Sequence, residues 1–114
     1  FRVSMQDCPC RNNSNSDNLA KWMQMNDSEG GFSEGDAVVR VRTSMDKKNP
    51  ALRDWPALRI QTAPHPKVGD KYRVWPLLDF QSGIDDHLEG VTHIIRGKDL
   101  MDSTQLNLGC SFLL

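Results

Sequence analysis

Cysteine is scarce in this 114-residue chain: Cys8, Cys10 and Cys110 are the whole complement. So sparse and odd-numbered a set cannot build the disulfide framework of a small secreted domain, and it fits a reducing compartment. Long apolar runs are also missing. Nothing approaches the ~20 residues a helix needs to cross a bilayer, and no basic flank leads into an apolar stretch at the start. A soluble, cytoplasmic protein without a membrane partner is therefore expected. Aromatic residues make up only 7% and the apolar set 38%, so the core should be modest. No glycine-rich phosphate loop of either standard spacing occurs, and there is no G-x-S-x-G elbow. The length rules out two independent catalytic domains. The first residue is Phe1 rather than an initiator methionine, which fits a piece of a longer protein.

What is present is charge, unevenly spread. Residues 37 to 75 carry nine cations, among them Arg40, Arg42, Arg59 and Lys71, against three anions. The local balance is +6, between flanks of −3 and −4. A basic middle suits contact with a phosphate backbone, because each neutralised phosphate releases counterions. A merely solvated strand face would show the same pattern.

The stretch from Asp7 to Asn18 is rich in turn-forming residues and reads as a loop. Ser14, with Asp17 three residues on, is placed to cap a helix whose Leu19, Trp22 and Met23 share one face and are expected to pack. Three glycines between Asp27 and Gly35 end it. Ala37 to Thr43 alternates, with Ala37, Val39 and Val41 on one side and Val38, Arg40 and Arg42 on the other, which predicts an amphipathic strand. Leu58 to Thr62 and Lys71 to Trp75 read as further strands in an antiparallel assembly. Ile84 to Glu89 suggests a short helix whose N-terminus favours Asp85 and Asp86, stopped at Gly90. Val91 to Ile95 then reads as a buried strand containing a core histidine, His93, and Asp99 opens another helical stretch.

Candidate chemistry is thin by spacing alone. Cys8 and Cys10 supply half of a tetrahedral zinc site, but no second pair with metal spacing follows, so no zinc is expected. Asp85, Asp86 and His87 are adjacent acid/base candidates. On a helix such neighbours diverge by about 100°, so all three cannot face one cleft. His65, between two prolines, is a loop residue.

Longer blocks carry a resemblance. They are Cys8-Pro-Cys-Arg11, Asn18-Leu-Ala-Lys-Trp-Met23, Gly35-Asp-Ala-Val-Val-Arg-Val-Arg42, Asn49-Pro-Ala-Leu-Arg-Asp-Trp-Pro-Ala-Leu-Arg-Ile60, Gly69-Asp-Lys-Tyr-Arg-Val-Trp-Pro76 and Asp85-Asp-His-Leu-Glu-Gly-Val-Thr-His-Ile-Ile-Arg-Gly-Lys-Asp99. Together they resemble the archaeal-type glutamyl-tRNA synthetases, class I enzymes, from about residue 1 to Thr104. The resemblance implies an α/β fold: part of a class I Rossmann catalytic domain with an inserted α+β subdomain that binds the tRNA acceptor stem. Residues 1–75 would belong to the insertion and 76–114 to the start of the second Rossmann half. It implies ligation of glutamate to tRNA through glutamyl-adenylate, with ATP and Mg²⁺ serving a monomeric intact enzyme, and with tRNA, not DNA, as the nucleic acid. Both signature motifs of the family fall outside this sequence, so no catalytic residue is assigned and the chain alone should be inactive.

Position by position, Arg96 matches the arginine that pairs with the substrate's side-chain carboxylate, a role that a planar two-pronged donor fills better for glutamate than for glutamine. An ion pair with Asp85, Asp86 or Asp99 is the structural alternative. Ser82 matches a polar pocket position, Asp99 and Leu100 match neighbours of the ATP ribose and base, and Asp102 falls where relatives approach the acceptor stem. Arg40 and Arg42 are assigned to tRNA. Leu78 departs from the family's tyrosine and removes a hydrogen bond worth about 1–3 kcal/mol to bound glutamate. Gln105 to Leu114 departs from the family's polar helix and suggests a truncated or frame-shifted end. Two alternatives stay open: a non-catalytic tRNA-binding module of the same fold, and a glutaminyl-tRNA synthetase, which Arg96 disfavours.

Overall fold

The computed structural model describes residues 1–101 and 104–106. Helix α1 (Asn15–Asn26) starts where the cap predicts, with Ser14 Oγ accepting from Asp17 N at 3.1 Å and the Asp17 carboxylate accepting from Ser14 N at 3.3 Å. The expected packing face is not covered. Leu19 and Met23 are 61% and 65% exposed, and Met25 is the buried residue of α1 instead. The helix is fastened at its C-terminal end, where Arg73 donates to the carbonyls of Met25 and Asp27 at 2.9 and 2.7 Å. Periodicity identifies which residues share a face but not whether anything lies against it.

Three antiparallel strands form a sheet in the order β1 (Val38–Arg40), β2 (Pro56–Ile60), β3 (Val74–Pro76). Strand β1 is shorter than predicted because its register against β2 shifts between Val39 and Arg40. Strand β2 begins two residues earlier than expected, at a proline, which the first position of a strand tolerates. Val38 pairs with Arg59, and Arg59 with Trp75, so these three stand on one face. Val39, Leu58 and Pro76 make the adjacent row on the opposite face. That covered face holds the main core of Trp55, Ala57 and Leu106, with Val41, Leu52, Leu58 and Phe80 packed against it.

Helix α2 spans Leu78–Leu88, beginning six residues before the predicted Ile84. No side chain caps its start; Leu77 N instead donates to Ala57 O at 2.8 Å, so no capping signal marked this end. Asp79 occupies the first turn, and Asp85 and Asp86 lie near the C-terminus, which overturns their expected role at the positive end of the helix dipole. The exit is a Schellman turn: Gly90, at φ 68°, bonds to His87 O and Val91 N bonds to Asp86 O.

Val91 to Ile95 is neither a strand nor buried. All five residues are exposed, Ile95 at 99%, and His93 is a surface residue whose Nδ1 lies 2.8 Å from Thr92 Oγ1. Among the described residues no strand lies beside this segment, so its β-branched side chains have nothing to pack against. Loose packing is general here: the radius of gyration is 15.5 Å, where about 13 Å is usual for a compact domain of this length. A single turn at Lys98–Leu100 begins the helical stretch expected from Asp99. The departure expected beyond Gln105 falls mainly on residues 107–114, outside the described residues.

Candidate functional site

Two of the nine central cations are internal fasteners. The Arg53 side chain is 2% exposed and donates from Nε to Lys47 O at 2.6 Å, from Nη1 to Arg2 O at 2.7 Å and from Nη2 to Lys48 O at 3.1 Å. Arg73 holds the end of α1 and also bonds to Phe32 O. The remaining seven, Arg40, Arg42, Lys47, Lys48, Arg59, Lys67 and Lys71, are exposed. Arg40 follows Val38 by two residues, and Val38 pairs with Arg59, so Arg40 and Arg59 stand on the open sheet face. Arg2 joins this neighbourhood: burial and the Arg40 charge lower its guanidinium pKa, with Asp54 opposing. Arg42 lines a cleft of about 190 Å³ with Lys47, Trp55 and Gln105.

One buried carboxylate holds the segment that carries these arginines. Asp54 receives Arg11 Nη1 on both oxygens and Thr43 N at 2.8 Å, while Thr43 Oγ1 accepts from Asp54 N at 2.8 Å. Arg11 also donates to Thr43 O at 2.8 Å and pairs with Asp7 at 3.1 Å. Burial alone would raise the Asp54 pKa, but hydrogen bonds from Arg11 and Thr43 and the charges of Arg11 and Arg40 outweigh it and lower it. Asp17 and Glu34 are lowered as well, by hydrogen bonds with Ser14 and Thr62. Since the folded values lie below the unfolded ones, stability from these groups is complete above the ordinary carboxylate range near about pH 4 and is lost as pH falls through the folded values. Urea titrations from pH 7 to 2.5 should show a midpoint that drops in the acid limb, with a shallower drop for Asp54→Asn; an unchanged slope would contradict the assignment.

The residues assigned to glutamate converge on α2. Leu78, Ser82 and Asp86 follow one another at helical spacing along a single face, and the Schellman turn sends the chain back so that Arg96 reaches it. Arg96 Nη2 lies 3.6 Å from Asp86 Oδ2, an oxygen that is buried without a hydrogen-bond partner. Arg96 and Asp86 side chains are 16% and 25% exposed, Ser82 is half-buried and Leu78 is exposed. Asp85 and His87 are exposed, so the acid/base trio diverges as helical geometry requires. Asp99 is exposed and Leu100 half-buried, and neither lines the cleft beside Arg42. Asp102 lies outside the described residues.

Sequence reasoning passed over a ring cluster. His65 stacks on Trp75 at 4.8 Å between centroids, Tyr72 meets Trp75 edge-on at 6.0 Å, and Lys71 Nζ lies 5.1 Å from the Tyr72 centroid. The available signal was the interleaving of cations and aromatics in Lys71-Tyr-Arg-Val-Trp75.

The family described as tRNA synthetases class I (E and Q), catalytic domain, matches residues 2–109. The chain belongs to that family. The glutamate-tRNA ligase of Methanothrix thermoacetophila is 57% identical over 96 residues, 84% of this chain and 17% of that protein. The glutamate-tRNA ligase of Archaeoglobus fulgidus is 56% identical over 103 residues, 90% of this chain and 18% of that protein. The chain thus spans less than a fifth of these curated relatives. Among the described residues the sheet is small and antiparallel, an α/β arrangement with two α-helices. Among the described residues no three His, Cys, Asp or Glu side chains are placed to hold a metal ion. Among the described residues no helix is long and apolar enough to cross a membrane.

Proposed function

We propose that the chain is the central piece of a cytoplasmic glutamate-tRNA ligase, in which residues 1–75 contribute an acceptor-stem-binding insertion and residues 76–114 open the second half of the Rossmann domain. The observation that carries this reading is Arg96 folded onto the α2 face of Ser82 and Asp86. The 3.6 Å pair with Asp86 sets the guanidinium against this face, and in the reading proposed its planar fork meets the side-chain carboxylate of glutamate. Leu78, exposed at the first turn, offers that substrate apolar contact only. The open sheet face with Arg40 and Arg59, and Arg42 beside it, follows tRNA phosphates, which orients the acceptor end without reading sequence. Asp99 and Leu100 approach the ATP ribose and base, and Asp102 approaches the acceptor stem. ATP and Mg²⁺ are used by the intact, monomeric enzyme, which carries the reacting groups outside this chain. Pyrophosphate exchange by the full-length protein tests the reading: exchange should depend on glutamate and not on glutamine, and a preference for glutamine would reject it.

A further inference from the structure

We infer that the cleft beside Tyr72 takes one unpaired nucleotide of the bound tRNA, its base stacked on the Tyr72 ring and its phosphate met by Lys71, an inference that rests on the tRNA-binding reading above. The cleft measures about 420 Å³ and is lined by Tyr72, Lys71, Asn26, Gln61, Thr62 and Asp70, among others. That volume falls within the ~300–1,000 Å³ of small-ligand sites.

The ring is set before any ligand arrives. Tyr72 is 53% exposed, yet its edge rests on Trp75, and Trp75 is itself clamped by His65 across one face and by its own Nε1 bond to Tyr72 O at 2.9 Å. An exposed, immobilised aromatic face gains stacking energy at little cost in ordering. Around it are groups suited to a base edge. Asn26 Nδ2 donates to Trp22 O, leaving its carbonyl oxygen as an acceptor, and Gln61 Oε1 accepts from Arg59, leaving its amide hydrogens as donors. Asp70 opposes a dense polyphosphate in the same space but accepts from an exocyclic amine.

Charge leads to the cleft. Arg59 and Trp75 are cross-strand partners, so the open face that carries Arg40 and Arg59 runs directly into the ring cluster. A strand tracked by its phosphates along that face delivers its next nucleotide to Tyr72. A base inside a duplex is covered on both faces, and an end pair is too broad for a cleft of about 420 Å³, which selects an unpaired nucleotide at the end of the acceptor arm.

The full-length ligase is titrated with two RNA hairpins that differ only in a short unpaired 3′ overhang. The overhang hairpin should bind about 5- to 100-fold tighter than the blunt one, the range expected for one stacked base. Tyr72→Ala should erase that difference while blunt-hairpin affinity stays as in the wild type, and Tyr72→Phe should retain it. Lys71→Ala should weaken overhang binding and reduce the salt slope by about one ion. Retention of the preference by Tyr72→Ala, or its absence from the wild type, overturns the inference while the tRNA-binding reading stands. Failure of both hairpins to bind overturns both.

Discussion

Asp54→Ala should lower the stability of the chain by about 3 kcal/mol, the cost of breaking a buried ion pair from one side. Asp54 is 7% exposed and accepts from Arg11 Nη1 and from Thr43 N, so its loss takes the acceptor from a backbone donor and leaves the Arg11 charge with only the exposed Asp7 as its ionic partner. Its backbone adds to the effect, because φ is 40°, a region that aspartate enters more readily than alanine. Domains are commonly stable by only about 5–15 kcal/mol, and a small core belongs at the low end. Urea unfolding followed by tryptophan fluorescence measures the change. Adding Arg11→Met should recover part of the loss, since the Arg11 charge goes with it. A single variant within about 0.5 kcal/mol of wild type would place the node among ordinary surface contacts.

On the proposed reading, Arg96→Gln in the full-length protein should reduce kcat/KM for glutamate at least about 100-fold, because a substrate carboxylate would be desolvated without its charged partner. Arg96→Lys should fall between, keeping the charge and losing the planar fork. Steady-state aminoacylation with glutamate and glutamine separates the contributions, since the neutral amide variant should narrow the gap between the two amino acids. A glutamate kcat/KM within threefold of wild type would leave Arg96 as a partner of Asp86 and nothing more.

How much of this was legible in the chain depends on how local the cause is. The Ser14 cap and the alternation of Ala37 to Arg42 come from neighbours within a few residues, and both appear where expected. The α2 start does not, because the group that satisfies Leu77 N is a carbonyl twenty residues away on β2. Trp22, Met23 and His93 carried the right residue types for burial but lack an opposing element among the described residues. Local charge balance treated Arg53 and Arg73 as surface cations, whereas backbone carbonyls from distant segments capture both. For Arg96, the residue blocks indicated its importance; its closeness to Asp86 depends on the turn at Gly90.

The Arg73 clasp has a consequence for how a guest would enter. Because one guanidinium bolts the tail of α1 to the approach of β3, the opposing banks of the cleft, Asn26 on one and Tyr72 on the other, are tied by a strut rather than left to drift. The gap is thus gauged in advance: the spacing of its two banks is held by the protein's own bonds and is not left for an incoming group to set.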